Sequence, residues 1–499
     1  MLINKIKDQS IKIFQKTQNV WLAFFLILIS FLTFSPTLKF NFVSWDDPLS
    51  LDYLLIRSIG WEGLQNIFST VLNTTYTPLT ILSYAVEYHF FKYKFFVYHL
   101  DNVLLHCAVV CLSYMLAIRL GLNRWTAFAA VLIFAVHPMK VESIAWITER
   151  KDMLYAALYL GAIHSYISFI NNRHKLFYPL SIVLGLLSML AKPMALSLPI
   201  ILLLFDWYFK RLPIKKCLIE KIPYFLYILP LAYVTHSHNH SAVTIHENTL
   251  NALLICIWSF SFYLTKFFLP VTLVPIYAVP EPISLSNPVY LLSLALFCST
   301  LWMVYRLYQH RWFMFCFMFY FASIFFLMRF DKMVNLGVVA DRFIYLASLG
   351  LCLYLATHIE KYYLRSTRLK KMLLILGLIV LIITLIHKTI QQQNVWKTSA
   401  NLWGHVVKHE PTIAIAHNNR GFSYIEAEQW DLAFNDFKKA IEILPTYAYA
   451  YSNIGSLYFL KEQYDLAIQY FNTTLSYDPK HAKSHNILGL IYEKKDKLD

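Results

Sequence analysis

Eleven apolar runs separated by short basic loops restrict this chain to a bundle of membrane-crossing helices. They lie at 20–38, 97–118, 125–138, 153–170, 176–191, 194–209, 222–235, 287–305, 312–328, 342–358 and 372–387. A crossing helix needs roughly 20 apolar residues, and helices satisfy every backbone polar group where no water can. The runs are continuous and not alternating, so surface strands do not explain them. With 58% hydrophobic and 15% charged residues, a water-soluble globular protein is excluded.

The formal charge of +15 suggests nucleic acid until it is located. Residues 396–499 carry 11 Lys/Arg against 12 Asp/Glu, leaving 33 against 17 in the membrane part. Those cations cluster in the amino terminus, Arg119/Arg124, Arg173/Lys175, 210–221, Arg306/Arg311 and 361–371, the pattern of cytoplasmic loops. No nucleic-acid partner is expected. Lys5, Lys7, Lys12 and Lys16 before the 20–38 run predict an uncleaved signal anchor. The stretch 250–269, interrupted by Lys266 and trailed by Pro270, Pro275, Pro280 and Pro282, is expected at the outer interface, which preserves parity among the basic loops. The prediction is then about eleven spans over 20–388 after a cytoplasmic segment 1–19, with loops 39–96, 137–152, 191–193, 236–286 and 329–341 on the outer face. Within 39–96, residues 79–91 read as a helix lying at the interface. The seven cysteines show no metal-type spacing and no disulfide framework.

Beyond Lys388 the sequence repeats every 34 residues: Gly421, Gly455 and Gly489; Ala433 and Ala467; Pro411, Pro445 and Pro479; Trp396, Trp430 and Tyr464. This is the register of tetratricopeptide (TPR) helix pairs. A TPR domain is expected over 389–499, with full units at 414–447 and 448–481, a half-unit before them (396–411) and a lone first helix after, whose apolar face is left to be covered. Small residues at the glycine positions let paired helices approach closely. Such a groove takes a protein or peptide.

Candidate chemistry lies in the outer loops. Asp46 and Asp47 follow the first span; a carboxylate there can act as a base or a metal ligand, and Asp-Asp-Pro is equally good turn chemistry. The segment 137–152 supplies His137, Lys140, Glu142, Glu149, Arg150, Lys151 and Asp152. With Lys192 and Arg342 these cations break the rule that outer loops are depleted of positive charge. Either an anionic ligand such as a lipid phosphate explains them, or they pair internally with Glu142, Glu149, Asp152 and Asp341. His99 and His106, with Asp101 and Asn102, face protein and not lipid, and interhelical hydrogen bonding is the role expected of them. His236, His238, His240 and His246 form a weak metal pattern, without a carboxylate or thiol partner.

Read in order, VSWDD, YTPLTILSYAVEYHFF, YHLDNVLLH, HPMKVESIAWITERKDML, LAKPMALSLP, LTKFFLPVTLVPIY and VVADRFIYLASLG, followed by TPRs, resemble bacterial relatives of the transmembrane-and-TPR O-mannosyltransferase family, glycosyltransferases of the GT-C class. The resemblance covers essentially the whole chain. It implies an all-α polytopic GT-C-like core with a C-terminal TPR α-solenoid and an outer-face site that uses a polyprenyl-phosphate sugar donor and a protein or glycolipid acceptor. It carries the acidic pair onto Asp46 and Asp47, and the HP segment onto His137, Glu142, Arg150 and Asp152. Lys192 takes the Lys-Pro turn and Arg342 the Ala-Asp-Arg turn. Relatives with longer TPR arrays recognise acceptors in a style that barely two units need not share.

Inverting transfer needs a base for the acceptor hydroxyl, assigned to Asp46 or Asp47 with Asp46 slightly favoured. It also needs cations on the departing phosphate, assigned to Arg150, Lys151, Lys192 and Arg342. His137, Glu142, Asp152, His99 and His106 would shape the site. No cofactor is required, and a divalent metal is compatible. The expected setting is a bacterial inner membrane with the loops and TPR array in the periplasm. Two rivals stay open: a ligase or polymerase acting on lipid-linked oligosaccharide, and a non-catalytic membrane-anchored TPR scaffold.

Overall fold

Several helices begin at a residue whose side chain caps the first turn. Asn123 caps the helix Arg124–Val136, its side chain accepting from the amides of Trp125 and Thr126 at 2.9 and 3.0 Å, just after Gly121 turns the chain at φ 91°. Asn248 and Asn287 cap Thr249–Phe268 and Pro288–Leu307 in the same way. Pro138 cannot donate to the preceding turn, so Arg124–Val136 and Pro138–Ala145 meet at a bend of 56°. This computed structural model describes residues 2–496 apart from 52–53, 73–74, 172–173, 238–243, 246–247, 329, 331 and 334–336.

The chain is an all-α integral membrane protein with a TPR solenoid. Among the described residues, seven helices are long and apolar enough to cross a membrane: Thr17–Lys39, Phe95–Arg119, Ile147–Ile170, Ile214–Val234, Thr249–Phe268, Pro288–Leu307 and Arg368–Trp396. The bent pair makes an eighth if it is one span, and Phe177–Ala191, Pro193–Tyr208 and Arg311–Leu327 are shorter apolar helices. A two-residue antiparallel pairing joins Thr244–Ile245 to Lys332–Met333.

The structure revises the reading of three segments. Residues 250–269 are not an interrupted interfacial stretch but a continuous 20-residue helix, buried along most of its length from Leu254 to Phe267. Lys266 does not break it, because its ammonium bonds the Thr272 carbonyl and lies 5.0 Å from the centre of the Tyr277 ring while its stem stays apolar. The run 342–358 begins instead as a turn, and its helix, Ser348–Arg365, is not among the candidate spans. Residues 137–149 are no open loop. They fold as short helical turns with every residue buried, leading into the helix Arg150–Ile170. The 79–91 segment is a helix, Pro78–Phe91, with Ile81 and Tyr84 buried and Val86 and Phe90 exposed.

One apolar core runs through the membrane helices and continues into the start of the TPR region, taking in Trp396, Leu402, Trp403, Val406 and Ile413. The half-unit helix Ser399–His409 is followed by Ala414–Glu426, Trp430–Ile443, Ala448–Leu460, Tyr464–Tyr477 and Ala482–Asp496. Gly421 and Gly455 sit against the rings of Phe437 and Phe471, where a Cβ would meet ring carbons at 2.7 and 3.1 Å; Gly489 meets nothing within 4 Å.

Gly350 permits a close helix approach, since a Cβ there would lie 2.5 Å from the Cys316 carbonyl and 3.2 Å from the Tyr320 nitrogen. Gly350→Ala is expected to force these helices apart and cost about 1–3 kcal/mol. A lowered unfolding midpoint of the purified protein checks it, with Gly377→Ala, which has open space, as the control.

Candidate functional site

The site is built around a carboxylate that burial would otherwise make untenable. Glu149 is 1% exposed, and it is met by Lys151 at 3.0 Å, Lys192 at 3.2 Å and Arg342 at 3.3 Å. Those cations come from three places: the first turn of Arg150–Ile170, the turn between two short apolar helices, and the 3-10 turn Asp341–Ile344. Lys192 also bonds Asp152 at 2.6 Å, and Ser143 donates to the other Asp152 oxygen at 3.0 Å. Arg342 pairs with Glu142, which also accepts the Arg342 backbone amide at 3.0 Å. The cluster balances three cations against Glu142, Glu149 and Asp152. Internal pairing is thus what the structure displays for these residues; Asp341 lies outside it and accepts from the Tyr277 hydroxyl at 2.9 and 3.0 Å.

The two adjacent aspartates part company. Asp47 is buried and acts as a clasp, one oxygen accepting the Val43 amide at 2.9 Å and the other the Thr148 amide at 3.4 Å. Burial pushes its carboxyl up to about 7 despite those hydrogen bonds. Asp46 is only partly buried, and among the described residues no hydrogen bond or ion pair occupies its carboxylate. Desolvation raises its pKa, Lys151 and Arg342 lower it, and Glu149 raises it, so Asp46 stands in the electrostatic field of the cluster. The bend after the first span therefore brings one free carboxylate to a group of cations and uses the other to hold the bend.

Arg150 departs from the position expected beside a donor phosphate. Its guanidinium is 0% exposed and spends its nitrogens on Glu87 at 2.5 Å, Asn102 at 2.9 Å, the Tyr98 carbonyl at 3.0 Å, Ser83 at 3.2 Å and Asp101 at 3.3 Å. Tyr84 and Tyr98 stack beside it, with ring centres 4.7 and 5.7 Å away. Arg150 ties Pro78–Phe91 and Phe95–Arg119 to the helix it begins, with no donor turned toward the cluster. His106 bridges Tyr345 at 2.7 Å and the Ala135 carbonyl at 3.1 Å, an interhelical link. His99 is buried edge-on to Phe40. His137 bonds the Phe267 carbonyl at 2.9 Å and stacks on the Phe267 ring, fastening the bend to Thr249–Phe268. His238, His240 and His246, and the side chain of His236, lie outside the described residues. Among the described residues no group of three or more His, Cys, Asp or Glu side chains is placed to hold a metal ion.

Sequence reasoning missed the aromatic clamp around Asp46. Trp45 stacks on Trp146 with centres 4.3 Å apart and planes at 14°, Trp146 stacks on Trp396 at 5.3 Å, and Trp403 meets Trp45 edge-on at 5.2 Å. The Ser44 amide donates to Ser399 Oγ at 2.8 Å, and Arg342 lies 5.5 Å from the centre of the Trp146 ring. The first TPR half-unit thus forms one wall of the acidic loop. A tryptophan flanking each charged segment was the available signal, but nothing in the spacing joined them.

These features define the class: a helical integral membrane protein whose acidic and basic loop residues converge beneath a TPR solenoid. The tetratricopeptide repeat family matches residues 412–480. Among curated proteins, the chain is similar to protein O-mannosyl-transferase TMTC1 of Homo sapiens, 32% identical over 145 residues that cover 27% of this chain and 16% of the relative. It is similar as well to TMTC3 of Mus musculus, 35% identical over 92 residues (18% and 10%), and TMTC2 of Homo sapiens, 37% identical over 100 residues (20% and 12%). The chain therefore matches less than a fifth of the length of these relatives.

Asp47→Ala is expected to leave the Val43 and Thr148 amides without acceptors and to cost about 1–3 kcal/mol. Hydrogen exchange at 43–47 should accelerate, while Asp47→Asn, which keeps one acceptor oxygen, should behave more mildly. Equal protection in Asp47→Ala and the unmodified protein would remove the clasp.

Proposed function

We propose that this chain is a membrane glycosyltransferase that moves a sugar, mannose or another, from a polyprenyl-phosphate carrier to a protein hydroxyl or other envelope acceptor on the non-cytoplasmic face, with inversion. The observation that carries the reading is the free Asp46 carboxylate beside Lys151 and Arg342. Asp46 takes the acceptor hydroxyl proton as that oxygen attacks the anomeric carbon. The bond from that carbon to the phosphate oxygen breaks, and the phosphate leaves with the electron pair. Lys151 and Arg342, whose side chains keep 19% and 18% exposure, stabilise its charge, with Lys192 behind them at 9%. A phosphate leaving group needs no general acid. The similarity to protein O-mannosyl-transferases supports a protein acceptor, and the TPR array supports recognition of a polypeptide. The proposed location is a bacterial inner membrane, with the site and TPR array in the periplasm.

A scaffold reading draws on one specific observation, the internal pairing of every cluster cation. The same variant separates the two. Asp46→Asn is expected to lower transfer from a defined polyprenyl-phosphate sugar by about 100-fold or more while the protein stays folded. In the unmodified enzyme, activity should fall on acidification through a pKa above 3.8, because protonation removes the base and burial has raised its pKa. Near-normal transfer by Asp46→Asn would sink the base; an unmodified protein inactive with every defined donor, and a phenotype untouched by Asp46→Asn, would favour the scaffold.

Sidedness has its own check. Single cysteines at the exposed positions Ser58, Ser286 and Ser476, in an otherwise Cys-free chain, are expected to react with an impermeant thiol reagent in intact cells, and one at Lys370 is not. Protection of Ser58 with labelling of Lys370 would invert the proposed arrangement.

A further inference from the structure

A cavity opens at the Arg124 end of the helix Arg124–Val136, its mouth about 20 Å by helix rise from the Val136 end that leads to the Glu149 cluster. Here Arg368–Gln393 stands off from its neighbours: its first buried residue is Leu385, and the turns before it are exposed or half-buried. Between it, Arg124–Val136 and the end of Ser348–Arg365 runs a groove of about 1000 Å³, walled by side chains such as Leu132, Ile133, Leu378 and Ile382. Its wall Arg368–Gln393 belongs to a candidate span, so the space opens toward hydrocarbon. Beyond its polar rim the lining is apolar and offers water few partners, and an empty groove would forfeit the contacts of its lining. A lipid chain fills it at no cost in hydrogen bonds.

The rim says which lipid. Arg124 lines the mouth, half-buried, with one guanidinium nitrogen on Gln18. Lys371 reaches over the Tyr363 ring at 5.1 Å, and Tyr363 is itself a lining residue. The connecting segment 360–371 carries Lys361, Arg365, Arg368, Lys370 and Lys371 against a single acid, Glu360, whose carboxylate accepts from Asn123 at the same rim. The exposed Trp125 ring is suited to the headgroup level. We infer that this groove is a binding site for an anionic phospholipid, its acyl chains between Arg124–Val136 and Arg368–Gln393 and its phosphate headgroup among Arg124 and the cations of 361–371. The site is separate from the proposed transferase centre and does not rest on that reading.

The test uses the full chain in mild detergent, equilibrated with phosphatidylglycerol and phosphatidylcholine of identical chains, and reads the retained lipid by mass spectrometry. Phosphatidylglycerol should be retained preferentially, with the preference falling about fivefold for each of Arg124→Gln and Lys371→Gln. Leu378→Trp, which fills the groove, should abolish retention, and Leu376→Trp on the exposed face should not. On the unmodified protein, a photoreactive acyl chain should cross-link within 124–133 and 374–383, so the site stays testable if a variant fails to fold. Equal retention of the two lipids overturns the anionic headgroup. Cross-linking elsewhere, or displacement by polyprenyl phosphate at equal concentration, overturns the assigned occupant; binding of soluble glycerol phosphate would replace a lipid site with an anion site.

Discussion

A buried carboxylate cannot stay charged alone, and Glu149 is the point at which this chain meets that constraint. Its neighbours Lys151, Lys192 and Arg342 belong to segments up to about 190 residues apart in sequence, yet each must reach one buried point. Losing one partner of a buried pair costs roughly 3–5 kcal/mol because the remaining charge is stranded. The turns bearing Lys192 and Arg342 are thereby pinned against the bend after Val136, and Glu142 and Asp152 neutralise the surplus. What lies outside this pinned group, Asp46 above all, is free to have another use.

The acidic loop is held from its other side by apolar surface. Trp45 stacks on Trp146 of the buried bend, which stacks in turn on Trp396, and Trp45 meets Trp403 of the TPR half-unit edge-on, so the loop bearing Asp46 is shared by the membrane core and the solenoid. The continuous core through Val406 and Ile413 gives the solenoid a rigid root, reinforced where Gln392 and His405 both donate to the Leu273 carbonyl at 3.0 Å. On the proposed reading, a polypeptide held by the repeats is thus presented from a fixed direction, without any hinge between recognition and chemistry.

How much of this was legible follows from which forces are local. Continuous apolar runs and the 34-residue register depend on the residues themselves, so the helical class and the repeats could be read directly. The charged segments expected on the outer face were legible as anomalies of the positive-inside pattern. Their pairings were not, because partners such as Arg342 and Glu142 lie 200 residues apart. Arg150 shows the limit most clearly: adjacent to Lys151 in sequence, it points the other way around the helix start, into Tyr84, Tyr98 and Glu87. Lys266 misled for a related reason. A lysine in an apolar run looks like an interruption until a carbonyl and a ring are seen to receive it.

The internal neutrality of the cluster is compatible with a catalytic use, and the two aspartates show why. In a merely structural cluster every buried acid would be expected to have a donor, since an unmatched one is costly. Glu142, Glu149, Asp152 and Asp47 all have theirs. Asp46, one residue away and partly buried, has no hydrogen bond or ion pair among the described residues, while desolvation raises its pKa. On the proposed reading, a carboxylate kept basic beside cations of retained accessibility takes the proton while those cations receive the departing anion.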